Sequence, residues 1–157
     1  QPEMLDLREY FGKKEELREK LKGFDCIWAR GGNTFILRRA YRQSGFDELL
    51  KELLAEDSIV YGGYSAGICL LAPTLRGLDL VDEPVTTPTP AGYEKETIWD
   101  GLGLIPYSIA PHYKSDHPES VMIDTAVEYF EINKMPYKAL RDGEAIVING
   151  DKECLAA

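Results

Sequence analysis

A chain of 157 residues, 44% hydrophobic and 29% charged, has the balance of a globular protein with one core; two domains would each be too small. The net charge of −9 argues against nucleic acid or an acidic membrane surface as partner, because both need a concentrated positive face. Cys26, Cys69 and Cys154 show no C-x-x-C spacing and no apolar run approaches the roughly 20 residues of a membrane span, so a reducing, cytoplasmic setting without membrane or disulfide framework is expected.

No charged-then-apolar leader opens the chain, but it starts at Gln1 rather than Met, so the native N-terminus is expected to lie upstream. Residues 13–22 place Leu17 and Leu21 four apart in a charged segment, which predicts a surface helix closed by Gly23. Phe24–Ala29 is short and rich in strand formers, and Gly31-Gly32 follow it. Asn33 or Thr34 can cap a helix over Phe35–Gln43, and Gly45 separates it from a leucine-rich helix over Phe46–Glu56. Ser58–Tyr61 reads as a strand running into Gly62-Gly63, Ser65 and a small-residue helix over Ala66–Leu71.

From Pro73 to Gly103 turn residues dominate, including PVTTPTPAGY (84–93), and this length predicts a flap or rim over a site. Leu104–Ala110 returns to strand character, weakened by Pro106, and leads directly to His112. Asp116 and Glu119 have capping-box spacing before a helix through Phe130. Tyr137–Leu140 and Glu144–Ile148 around Asp142-Gly143 predict a β-hairpin. Strands alternating with helices, each strand short and apolar, predict an α/β three-layer sandwich with a largely parallel sheet in a single domain over 1–157. Arg30–Thr34, Gly63–Gly67 and His112–Ser115 all follow predicted strands, where sites of such folds gather.

Gly63-Tyr64-Ser65-Ala66-Gly67 is a G-x-S-x-G elbow between strand and helix, the context in which Ser65 can be a nucleophile. A serine hydroxyl needs a base, and His112 at a strand end is placed better than His117 in the next helical turn. The imidazole needs an acid: Asp79 is the first candidate and Asp82 the second, with Glu83 in the same segment. The amide of Ala66 is one candidate oxyanion donor, and the second is expected from the Gly31-Gly32 pair. The elbow carries no cysteine, and Cys69 one turn later reads as a small core residue. As a nucleotide cradle Gly31-Gly32 is weak, because there is no G-x-G-x-x-G and no Walker lysine, and no metal is expected.

RGGNTFIL (30–37), GGYSAGICLLAPTLR (62–76) and APHYKS (110–115) together resemble the motifs of the peptidase E, or aspartyl dipeptidase, family, across most of residues 24–150. The resemblance implies a class I glutamine amidotransferase-like, flavodoxin-like fold and a cofactor-free Ser-His-acid peptidase that releases N-terminal aspartate from small peptides. It places the nucleophile at Ser65, the base at His112, the oxyanion hole at Gly32 and Ala66, and the acid near Leu80, beside Asp79. Arg30 stands where the family often has a third glycine.

The family's first βα units are missing before Leu5, which predicts an uncovered sheet side and a swapped, dimeric or N-terminally incomplete form. Asn33, Arg30 and Arg76 are the candidate substrate residues, Arg76 the first choice for an aspartate carboxylate, while Arg38 and Arg39 read as surface charges. The rivals are an ester hydrolase, a glutamine amidotransferase, and a non-catalytic binding or regulatory module of the same fold.

Overall fold

The computed structural model describes residues 1–85 and 89–156, so part of the expected rim, 86–88, lies outside the described residues. A short 3-10 turn at Leu7–Tyr10 precedes helix α1, Lys14–Leu21. Leu17 and Leu21 of α1 are fully buried, each contributing about 1.5–3 kcal/mol of apolar burial. Lys14 and Arg18 flank the same side of α1 and pair with Glu48 and Glu52 of the helix it packs against, Phe46–Ala55.

Strand β1, Cys26–Ala29, lies parallel to β2, Val60–Gly63, in the register Cys26↔Val60 to Ala29↔Gly63. Helices α2, Thr34–Ser44, and α3, Phe46–Ala55, make the crossover between them. Asn33 is the cap of α2, its Oδ1 accepting from the Ile36 amide at 2.9 Å. Gly45 ends α2 and starts α3 at φ 74°, a left-handed position that suits glycine.

After the short helix α4, Ala66–Cys69, the chain wanders to β3, Ser108–Ala110, which is shorter than the sequence suggests because Pro106 cannot donate to a ladder. Helix α5, Ser120–Ile132, then returns it to β4, Tyr137–Ala139, parallel to β3. The architecture is therefore α/β with parallel strand pairs joined through helices. Two local expectations fail. Glu119 sits at the N-cap of α5 without a side-chain cap bond, so the Asp116–Glu119 capping box does not form. The hairpin around Asp142-Gly143 is also absent: β4 pairs with β3, whereas β5, Ala145–Asn149, pairs antiparallel with β6, Lys152–Ala156, around Gly150-Asp151. Gly150-Asp151 is the two-residue turn that forms, with Gly150 at φ 59° in its first position.

Ile27 and Tyr61 face the main core, built from α1 to α5 around Phe35, Leu50, Leu70 and Phe130. On the other face Cys26, Trp28 and Val60 are exposed, Trp28 by 65%. Parallel sheets are normally covered on both faces, so this side of β1 and β2 stands open. Arg38 and Arg39 are not surface charges but buried, at 8% and 1% exposure. Arg38 donates to the Asp100 carbonyl and pairs with Asp47, and Arg39 donates to the Glu94 carbonyl, so α2 supplies the donors that the irregular segment after residue 88 needs.

Candidate active site

Ser65 occupies the turn between β2 and α4 with φ 51° and ψ −126°, a conformation a non-glycine residue adopts only when its surroundings impose it. The imposing contacts come from β1. A Cβ at Gly63 would meet the Ala29 carbonyl oxygen at 2.7 Å, and one at Gly67 would meet it at 2.6 Å. Only hydrogen at both positions lets α4 close against β1. Beneath the turn, Tyr61 donates to the Gly67 carbonyl at 2.6 Å and accepts from the Tyr41 hydroxyl at 2.9 Å. Burial pushes the Tyr41 phenol up to about 12 and raises Tyr61 in the same direction, so both remain neutral props.

Gly31 lies against Ser65, since a Cβ there would sit 3.0 Å from Ser65 Cβ and 3.4 Å from its Oγ. Gly32 follows at φ 140° with open space around it. Ala66 is buried as the first residue of α4, and its amide has no acceptor among the described residues. Arg30 is exposed beside this loop, and its guanidinium next to the Tyr64 hydroxyl lowers that phenol's pKa.

His112 follows β3 and lines, with Ser65, one cleft of roughly 590 Å³. Its Nδ1 lies 2.6 Å from Asp142 Oδ1; His112 is 14% exposed and Asp142 52%. Asp142 is held by its own amide, which donates to Ser115 Oγ at 2.9 Å. This contact is the one the sequence reading missed. Asp142 follows the carboxyl end of the parallel strand β4, and the rule that gathers sites there points to it once the false hairpin is removed.

The acids chosen from sequence serve elsewhere. Asp79 Oδ1 accepts from the Gly77 amide in its own turn, and Asp82 Oδ2 accepts from the Thr34 amide at the start of α2. Neither touches His112. Both polar ends of Asn33 are used by the fold, its Nδ2 donating to the Glu83 carbonyl. Arg76 is exposed over the Trp99 ring at 5.0 Å and does not line the Ser65 cleft. Cys69 is buried with its thiol pushed up by desolvation, donating to the Ile109 carbonyl, which fits a core residue and not a nucleophile. His117 stacks on His112, centroids 3.7 Å apart, and His112, His117 and Glu119 are the one described group able to converge on a metal.

The profile of peptidase family S51 matches residues 3–155. A Streptomyces coelicolor protein named Peptidase E is 30% identical over 141 residues, covering 87% of this chain and 54% of that protein. A Drosophila melanogaster protein assigned as an alpha-aspartyl dipeptidase is 26% identical over 147 residues, covering 90% and 57%. The crystal structure of a Listeria monocytogenes EGD-e protein assigned to peptidase E superposes with a TM-score of 0.79 at 27% identity, over 98% of this chain and 69% of that one. The chain thus spans little more than half the length of these curated relatives. No described helix is long and apolar enough to cross a membrane.

Proposed function

The chain belongs to peptidase family S51, and on that premise we propose that it is a serine-type peptidase that cleaves small peptides through an acyl-enzyme. Ser65 attacks the scissile carbonyl, His112 takes its proton at Nε2 and returns it to the leaving amine, and Asp142 holds the imidazole through Nδ1. The amides of Ala66 and Gly32 receive the oxyanion. Asp142 thus takes the role first sought at Asp79. The observation that carries the reading is the strained Ser65 elbow sharing one cleft with a His112–Asp142 pair.

Substrates with an N-terminal aspartate would meet a cation at Arg30, beside Tyr64 and the nucleophile turn. The test is labelling by a fluorophosphonate, which reacts quickly only with an activated serine. Labelling of the parent and none of Ser65→Ala is expected; an unlabelled parent would overturn the hydrolase. That second outcome would favour a non-catalytic binding module, a reading supported by the open face of β1 and β2.

A further inference from the structure

His112 has a neighbour that hydrolysis does not use. One nitrogen of His112, one of His117 and one carboxylate oxygen of Glu119 lie within 4.8 Å of one another, and all three side chains are partly buried. We propose that these three residues form an inhibitory site for a divalent transition metal of the zinc type, which captures the general base. The inhibitory effect rests on the role of His112 argued above, but the binding does not.

Two imidazoles and a carboxylate are the donor set zinc takes, with the fourth position left to water. Asp142 occupies His112 Nδ1 at 2.6 Å, which leaves Nε2 for the ion and supplies the carboxylate behind the imidazole that orients a metal-binding histidine. His117 and Glu119 lie in the turn before α5, the two side chains 3.9 Å apart at His117 Nδ1 and Glu119 Oε2. The net charge of −9 raises the local cation concentration in general.

Binding requires movement. Zinc bonds of about 2.0–2.1 Å draw ligand atoms closer than 4.8 Å, and the lone pairs of an imidazole lie in its ring plane, so the parallel His112–His117 stack must open. His117 is the ring free to turn: its side chain is 36% exposed, and its Nδ1 accepts only a 3.3 Å bond from the Glu119 amide. His112, anchored by Asp142, stays in place. Once coordinated, Nε2 has no lone pair for the Ser65 proton, and hydrolysis stops until a chelator removes the ion.

Calorimetric titration with zinc chloride, and visible absorption with cobalt(II) as a coordination probe, test the site without any substrate. The parent and Ser65→Ala should each bind one ion, and His117→Gln and Glu119→Gln should each weaken binding tenfold or more with matching melting temperatures. Absence of binding, or equal binding by both variants, would overturn the site; an ion held at the exposed Cys26 or Cys154 gives that second result. In parallel, zinc should block fluorophosphonate labelling of the parent and spare both variants. Zinc bound through all three residues while labelling continues would remove His112 as base and leave the site standing, whereas a parent unlabelled without metal would sink the hydrolase alone.

Discussion

Asp142 and His112, thirty residues apart in sequence, meet through a 2.6 Å contact between carboxylate and Nδ1. On the proposed mechanism that contact fixes the tautomer that offers Nε2 to Ser65, so Asp142→Asn should lower kcat about 10²- to 10⁴-fold with little change in KM. Asp79→Asn, which disturbs only a bond to the Gly77 amide, should remain within about threefold of the parent. Steady-state kinetics on both variants decides, and the reverse ranking would return the acid to the segment after α4.

The conformation of Ser65 sets stability against function. A residue held at φ 51°, ψ −126° costs on the order of 1–3 kcal/mol, and glycine removes most of that strain. Ser65→Gly should therefore abolish labelling and raise the unfolding free energy by about 1 kcal/mol, read from urea melts. A less stable Ser65→Gly protein would mean that the turn stores no strain.

Gly67 tests the packing behind the elbow. Alanine is ordinarily the better helix residue by about 1 kcal/mol, yet a Cβ at 67 would press on the Ala29 carbonyl oxygen at 2.6 Å. Gly67→Ala should destabilise by about 1–3 kcal/mol, the range of an overpacked core. A higher melting midpoint for this variant would contradict the β1–α4 contact.

The strained elbow at Ser65 and the helices between β1 and β2 were legible in the sequence because each is a local signal: Ser65 between glycines, Asn33 before an apolar period, Gly45 between two helices. Asp142 was hidden because a parallel strand is paired by a partner far along the chain, and the turn residues Asp142-Gly143 imitate a hairpin between β4 and β5. Arg38 and Arg39 were misread for a related reason. Charge on a helix suggests solvent, but the irregular segment from Glu94 to Asp100 brings bare carbonyls to α2 and buries both guanidinium groups.

The buried tyrosines predict alkaline sensitivity. Tyr41 titrates near 12 in the folded protein and near 10 when unfolded, so the folded state holds its proton more tightly. Their contribution is complete below about pH 10 and is lost as pH rises through about 12, at about 1.4 kcal/mol per pH unit for one group. Tyr61, shifted the same way, steepens the loss. Urea unfolding at about pH 9, 10 and 11 should show this decline in the parent and a shallower one in Tyr41→Phe. Parallel pH profiles for the two proteins would remove the linkage.

If the proposed peptidase takes substrates with an N-terminal aspartate, specificity turns on which arginine meets that carboxylate. The sequence favoured Arg76, but its guanidinium rests over Trp99, a cation–π contact worth about 0.5–1 kcal/mol at an exposed site, and it does not line the Ser65 cleft. Arg30 does not line that cleft either, but it borders the Gly31-Gly32 loop that touches Ser65 and lies against Tyr64, which does line it. A charged hydrogen bond to a carboxylate lost from the transition state is worth roughly ten- to a hundredfold. Arg30→Met should therefore cut kcat/KM for Asp-X peptides by about that factor and leave Ala-X peptides within about threefold. Arg76→Met should affect both substrates alike and slightly. If Arg30→Met lowers Asp-X and Ala-X cleavage equally, Arg30 serves the loop and not the substrate; if Arg76→Met alone is selective for Asp-X, the carboxylate binds on the Trp99 side.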